Sequence, residues 1–404
     1  MIELYENSKA LIAHISHNLK RSLFDEINWQ ARLIEINGAR GTGKTTLMLQ
    51  KAKSLLEKDQ KSCLYVSLDD PFFYRNSLVE VADEFFKLGG EFLFLDEVHR
   101  YPSKYPDYDW SSELKTIYDR YPQLKVCYSG SSLLKLYKAK GDLSRRKITY
   151  NLPGLSFREY LYFNQINQFK IKSLDELIDH HSEIASEITM RLKIIPHFRT
   201  YLQVGYYPFY SEAPDHYFER LKEIMAVILE NDIPSVTDIP FETVMKIKKL
   251  LGVIAASVPF TPNLSSMREN LYVTDQRTLL RYFYFLEKAE LIYNLSKDAR
   301  GSQVLRKPGK VLLDNPNLQF CFHSSPNTGT LRETFFANQI RKNHEITYPD
   351  KGDFMIDGKQ IFEIGGKNKT RKQIENIAES YLALDDIETG YDKTIPLWLF
   401  GFLY

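Results

Sequence analysis

Nine consecutive residues have the types and spacing to bind a polyphosphate: Gly38, Ala39, Arg40, Gly41, Thr42, Gly43, Lys44, Thr45 and Thr46. The first eight fit the pattern G-x-x-x-x-G-K-[ST] in full. Glycines leave room for backbone N–H groups to curl around phosphates without a Cβ in the way. The Lys44 ammonium reaches the outer phosphates, and the Thr45 hydroxyl is suited to a Mg²⁺ ion. A helix that follows such a loop turns its positive end toward the anion. Further along, Phe92-Leu93-Phe94-Leu95 runs into Asp96-Glu97. Four apolar residues followed by two acids describe a buried strand that carries carboxylates to a sheet edge. Asp96 is expected to hold Mg²⁺ through water, and Glu97 to polarise an attacking water as general base. The expected ligands are ATP and Mg²⁺, and the expected reaction is hydrolysis.

Such residues need a frame that brings strand ends together. Short apolar runs over residues 32–38, 61–68, 91–97, 125–132 and 146–152 read as strands, and residues 44–57, 77–88 and 112–121 have helical periodicity. Strands that are apolar throughout and alternate with helices imply a parallel sheet covered on both faces. In such sheets, ligands bind at the carboxyl ends of the strands. Asp69 and Asp70 end the second strand and either line the site or cap a helix. Residues 1–30 read as an amphipathic helix through Leu11, Ile12, Ile15 and Leu19. Residues 161–229 are helical with Pro196 and Pro208 as interruptions. Helical patterns over 244–256, 264–270 and 275–289 lead into the strand-like run Glu290-Leu291-Ile292-Tyr293, the layout of a winged helix-turn-helix. After residue 304 the chain turns strand-rich (KVLLDN, EITYPD, GDFMIDG, KQIFEIGG), with helices expected over 331–342 and 371–384 and a closing strand IPLWLFGFL.

Composition narrows the setting. The chain has 404 residues, 43% hydrophobic and 26% charged, with net charge +1. That length implies several domains. No uninterrupted apolar run of about 18 residues occurs, so no membrane helix is expected. The first residues lack the basic-then-apolar order of a secretory signal. Cys63, Cys127 and Cys321 are odd in number and scattered, which points to a reducing, cytoplasmic setting and to buried thiols rather than a disulfide or zinc framework. The near-neutral charge does not advertise a nucleic-acid partner. The basic run KNKTRKQ at 367–373 is either a solvated loop and helix start or a local contact for one.

The pairing of the phosphate loop with Asp96-Glu97 resembles the AAA-type P-loop ATPase superfamily. Tyr128-Ser129-Gly130-Ser131-Ser132, Leu143-Ser144-Arg145-Arg146, Leu155-Ser156-Phe157-Arg158-Glu159-Tyr160 and Gly205-Tyr206-Tyr207-Pro208 narrow the resemblance to a prokaryotic branch with a nuclease-like C-terminal domain. The resemblance covers almost the whole chain. It implies that Ser129 is a polar sensor of the γ-phosphate; the alternative is a turn and cap built by 129–132. It also implies that Arg146 reaches a neighbouring chain's nucleotide on self-association, with Arg145 a rival for that role and a local salt bridge the alternative. The implied architecture is α/β and multidomain: a parallel-sheet P-loop ATPase core (1–160), a helical lid (161–235), a winged helix (236–303), and a mixed α/β domain similar to restriction endonucleases (304–404).

In the winged helix, Gln276, Arg277 and Arg281 are expected to be exposed, and Tyr282, Phe283, Phe285 and Leu286 to face the core. Such a module binds either DNA or protein. In the last domain, the nuclease resemblance would gather Glu333, Asp353 and Glu363 round a metal ion. Gly365 stands where relatives carry a lysine, so Lys367 or Lys369 would have to take over, and little DNA cleavage is expected. The primary functional expectation is an ATPase whose nucleotide state controls the attached domains. The alternatives are a nucleic-acid-binding or DNA-cleaving protein that uses ATP only as a switch, and an ATPase that acts on protein.

Overall fold

The computed structural model describes residues 1–16, 19–57, 63–103, 108–136, 140–237, 239–257, 261–297 and 308–404. The chain divides into two compact units: Met1–Pro153 with Asn231–Ile239, and Gly154–Glu230 with Pro240–Tyr404.

The first unit is built on five parallel strands, β1 (Leu33–Gly38), β2 (Cys63–Ser67), β3 (Phe92–Asp96), β4 (Lys125–Ser131) and β5 (Ile148–Asn151), in the order β2-β3-β4-β1-β5. Alternate side chains along a strand point to opposite faces, and both faces here are apolar. Leu64, Val66, Leu93, Leu95, Val126 and Tyr128 enter one core, and Ile34, Ile36, Cys63, Tyr65, Phe92, Phe94 and Cys127 the other. Helix α3 (Lys44–Leu56) covers the second face with Leu47, Met48 and Ala52. Helices α4 (Leu78–Lys87) and α5 (Trp110–Arg120) cover the first with Leu78, Val81, Phe85, Leu114 and Ile117. Ser77 and Glu80 close a capping box on α4, and the Asp109 carboxylate caps α5. The register sets Ser67 beside Asp96 and Gly38 beside Ser131, so the strand ends expected to carry chemistry lie side by side.

The N-terminal helix stops early. Helix α1 spans Ile2–His14 and the four-residue α2 spans Leu23–Glu26, so residues 1–30 are not one helix. Carbonyls that a continued helix would have used are instead taken by side chains of α3. Lys53 Nζ donates to the Ile15 carbonyl, and Gln50 Nε2 to those of Ser16 and Leu19.

In the second unit, helices α6 (Phe157–Phe163), α7 (Leu174–Thr189), α8 (Ile194–Val204) and α9 (Tyr217–Val227) precede the segment that belongs to the first unit and carries α10 (Ile233–Thr237). Pro196 sits in the first turn of α8, where a missing N–H costs nothing, and does not interrupt it. Then come α11 (Phe241–Ser257), α12 (Leu264–Asn270), α13 (Gln276–Lys288) and β6 (Ile292–Leu295), which pairs antiparallel with β7 (Lys310–Leu313). KVLLDN therefore completes the hairpin that follows α13 and does not join the C-terminal sheet. Helices α14 (Pro316–Phe322) and α15 (Thr328–Ile340) lead to strands β8 (Ile346–Thr347), β9 (Phe354–Ile356), β10 (Gln360–Gly366), β11 (Ser380–Asp385) and β12 (Thr394–Pro396), in the order β12-β11-β10-β9-β8. Phe157, Leu177, Phe198 and Tyr201 of the helices share one core with Phe335, Phe336, Phe362, Trp398 and Phe400. The segment expected to be a lid is thus part of the C-terminal unit's own core.

Two expectations at the C-terminus fail. Residues 371–384 are not a helix: Arg371–Gln373 is one 3₁₀ turn, and β11 lies at every position buried between β10 and β12. A short apolar run such as Tyr381-Leu382-Ala383-Leu384 reads either way, and strand pairing decides it. IPLWLFGFL is a strand only to Pro396. Proline cannot donate to a ladder, and Leu397–Phe402 turns into a buried 3₁₀ helix. No helix among the described residues is long and apolar enough to cross a membrane.

Candidate functional site

The site begins with the turn between β1 and α3. Gly43, the residue before α3, has φ 95°, a left-handed conformation that favours glycine. A Cβ on Gly38 would lie 2.3 Å from the Leu152 carbonyl oxygen, so that position admits no side chain. Thr42 Oγ1 donates to the Ala39 carbonyl at 2.9 Å, and Arg21 Nη1 to the Thr42 carbonyl at 2.8 Å, which ties the loop to the N-terminal segment. Lys44 is buried and folds back over the loop, with Nζ 2.9 Å from the carbonyls of both Gly38 and Ala39. Thr45 and Thr46 are exposed at the first turn of α3.

Asp96 is 3% exposed at the end of β3. Thr45 Oγ1 donates to its Oδ2 at 2.6 Å and the Tyr65 hydroxyl to the same oxygen at 2.7 Å. Ser129 Oγ donates to Oδ1, which also accepts the Glu97 N–H at 3.1 Å. The Glu97 N–H lies 3.2 Å from Ser129 Oγ as well. A carboxylate that accepts this many hydrogen bonds is fixed in place. Burial, with the Asp96 charge next, raises the Tyr65 phenol far above its ordinary value, so it stays a donor.

Glu97 is held differently. Its backbone is left-handed, φ 54°, an uncommon conformation for a residue with a side chain that often marks functional sites. Its buried Oε2 has no hydrogen-bond partner among the described residues. Three groups surround that oxygen at longer range: His99 Nε2 and Arg100 Nε, each at 3.5 Å, and Arg40 Nη1 at 3.8 Å. Burial lowers the pKa of His99, so at neutral pH it is an uncharged ring. The two arginines are anchored on Asp232, which is buried: Arg40 Nη1 to Oδ2 and Arg100 Nη2 to Oδ1, both at 3.1 Å.

The arrangement suits Mg²⁺. Thr45 and Asp96 bring a hydroxyl and a carboxylate together beside the glycine-rich loop, an oxygen set that a hard cation prefers. Tyr65, Arg100 and Asp232 were not found from sequence. Tyr65 had a weak signal, since it lies on the neighbouring strand and its alternation places it on the α3 face. For Asp232, 192 positions from Arg40, the sequence carries no signal.

Other expected residues lie elsewhere. Arg146 does not reach this cluster: Nε and Nη2 donate to the two carboxylate oxygens of Asp119 at 3.0 and 3.1 Å, and Nη1 to the Asp142 carbonyl. Arg145 is exposed. Asp70 caps the turn Pro71–Tyr74 by accepting from the Phe72 N–H, and Asp69 accepts from Ser67 Oγ. Ser131 Oγ accepts from the Leu133 N–H, so turn-building and contact with Asp96 are divided between two serines of one strand end.

In the second unit, Glu333, Asp353 and Glu363 do share a neighbourhood, but lysines fill it. Lys310 bridges Glu333 and, at 3.7 Å, Asp353, and Lys369 pairs with Glu363. Among the described residues no group of acids, histidines and cysteines could hold a metal ion. Two ammonium groups, those of Lys310 and Lys369, thus stand among the three carboxylates where the resemblance would place a metal ion. Burial raises the Glu333 and Glu363 carboxyls above their ordinary range. Lys369 lies over Gly365, where a Cβ would meet its stem at 2.4 Å. Lysine at 365 and Lys369 thus exclude each other, and Lys369 rather than Lys367 fills the position.

Residues 30–161 match the AAA domain family. The AAA-domain match contains the phosphate loop, Asp96, Glu97 and Ser129, together with the whole parallel sheet. Among solved structures, the chain is similar to a Walker-type ATPase of Pyrococcus abyssi, at 14% identity and TM-score 0.42 over 77% of this chain and 99% of that one. It is also similar to AMPPCP-bound DnaA from Aquifex aeolicus (15%, 0.28, over 70% and 86%) and to the ORC1 protein of Aeropyrum pernix in complex with DNA (12%, 0.32, over 79% and 92%). All three likenesses are distant. No curated protein matches the chain.

Proposed function

We propose that the AAA-domain segment binds ATP with Mg²⁺ at Gly38–Thr46 and hydrolyses it. The observation that carries this reading is the contrast between two adjacent carboxylates. Asp96 is saturated with hydrogen bonds from Thr45, Tyr65 and Ser129, whereas the Glu97 carboxylate has a buried oxygen with no hydrogen-bond partner among the described residues. The first is built to hold a charge in place, the second to accept a proton.

Backbone N–H groups of the loop and of the first turn of α3 take the phosphates. Lys44 exchanges the carbonyls of Gly38 and Ala39 for phosphate oxygens. Thr45 and Asp96 would hold Mg²⁺, which when bound offsets the charge of the outer phosphates. Ser129 and Tyr65 orient Asp96. Glu97 takes the proton of a water whose oxygen bonds the terminal phosphorus, while the bond to the bridging oxygen breaks and its electrons leave with the diphosphate. Arg146, expected at a neighbouring chain's nucleotide, has no step within a single chain in this scheme, where it pairs with Asp119.

A second reading rests on the module formed by α11, α12, α13 and the β6–β7 hairpin. Three helices followed by a hairpin support a winged-helix reading, as do Gln276, Arg277 and Arg281 exposed on α13 with Tyr282, Phe283, Phe285 and Leu286 buried. That face suits a nucleic acid, with hydrolysis as the switch.

The test is ATP binding and turnover, with and without duplex DNA at stated salt. Lys44→Ala should lose binding. Glu97→Gln should bind ATP as the parent does and turn it over about 10²–10⁴-fold more slowly, the usual worth of a general base. Unchanged turnover in Glu97→Gln removes the assignment, and stimulation by DNA favours the second reading.

A further inference from the structure

We propose that Asp232 is an internal counter-ion occupying the place of a terminal phosphate, so that a nucleoside triphosphate, but not a diphosphate, displaces it and releases the segment around it. This rests on the reading of Gly38–Thr46 as the nucleotide site.

Asp232 divides its two oxygens between two guanidinium groups, one from the phosphate loop (Arg40) and one from the turn after β3 (Arg100). A terminal phosphoryl group offers arginines the same geometry with more charge. The location fits, because both guanidiniums also lie within 3.8 Å of Glu97 Oε2, the oxygen expected to face the attacked phosphorus. The cations cannot serve Asp232 and a γ-phosphate equally, so the two anions compete. A diphosphate ends one phosphate short and leaves the pair intact.

Asp232 is set to move. It closes a π-helical turn, Ile228–Asp232, a rare conformation frequent at functional positions. Its side chain is 2% exposed, against 29% and 31% for the two arginines it pairs with. Losing both partners while buried is strongly unfavourable, so a carboxylate that loses its arginines must leave for water and take α10 with it. The chain enters this segment from the second unit at 230/231 and returns to it at 239/240, directly before α11. Release of α10 is therefore transmitted through the backbone to the module that opens with α11. The arginines pass from Asp232 to the phosphate, which also frees Glu97 of its two nearest cations' former geometry.

The test compares binding of β,γ-imido-ATP and ADP, each with Mg²⁺, by calorimetry. Asp232→Asn removes the competing charge and keeps the shape, so affinity for the triphosphate should rise about tenfold while that for ADP changes by less than about twofold. In the parent chain, hydrogen exchange at the amides of 233–237 should be faster with β,γ-imido-ATP than with ADP, a readout that needs no variant. Equal gains for both nucleotides in Asp232→Asn, or equal exchange at 233–237 with both, overturns the proposal and leaves the nucleotide site standing. No heat with either nucleotide in the parent overturns both.

Discussion

At the scale of single residues, the site is decided by which polar atoms are satisfied. Tyr65 shows this. Its hydroxyl has one role among the described contacts, to donate to Asp96, and burial keeps it protonated. Tyr65→Phe removes the donor and leaves the buried carboxylate one hydrogen bond short. The loss should be about 1.5–3 kcal/mol, the range for a bond to a charged group, read as a lower midpoint in urea denaturation. An unchanged midpoint would mean that Asp96 recruits another donor. Arg146 carries the opposite lesson. Its residue type and place before the last strand suggest a role at a nucleotide, yet Asp119 and the Asp142 carbonyl take its donors, an arrangement open to solvent and of small worth to stability.

At the scale of elements, buried polar hubs join helices that apolar contact alone would leave free to slide. Asn317, in the first turn of α14, is fully buried. Its amide donates to the carbonyls of Tyr201 and Leu202 at the end of α8, and its oxygen accepts from the Tyr206 N–H at 2.8 Å and the Tyr217 hydroxyl at 2.6 Å. The Gly205–Pro208 motif is explained by this hub: it turns the chain so that α8, α9 and α14 meet on one side chain. Asn317→Ala leaves those groups buried without partners and should cost about 2–4 kcal/mol. Asn263→Ala, which removes an exposed cap from α12, should cost about 1 kcal/mol. Equal costs in chemical denaturation would show that water reaches the hub.

At the scale of the whole chain, acid should destabilise both units through buried histidines. Burial lowers the pKa of His99 in the first unit and of His181 in the second, where Nε2 lies 3.0 Å from the Asp392 carbonyl. A histidine whose folded pKa lies below its unfolded value is neutral in the fold while the unfolded chain takes up the proton. Stability from this source is present above the unfolded pKa of about 6.5 and falls as pH drops through and below it. The raised carboxyls of Glu333 and Glu363 act in the opposite sense, so the test is differential: between about pH 7.5 and 5.5, His181→Gln should lose less stability on acidification than the parent chain. The same pH dependence of the denaturation midpoint in both chains would contradict the burial-driven shift.

What the sequence determined by itself is local. The phosphate loop, the strand that delivers Asp96 and Glu97, the two-faced parallel sheet and the helices of 241–288 all follow from backbone preferences and side-chain period, which need only neighbours in the chain. Tertiary structure decided everything that depends on a distant partner. Strand pairing made a strand of 380–385, and side chains of α3 ended the N-terminal helix by taking its carbonyls. A shared core joined the expected lid to the C-terminal sheet. Lysines arriving from β7 and from the loop after β10 set the ion pairs of Glu333, Asp353 and Glu363. Asp232 reached the site across 192 positions. A carboxylate's role is set by what neutralises it, and for these carboxylates that partner lies far away in the chain, where no spacing rule can point.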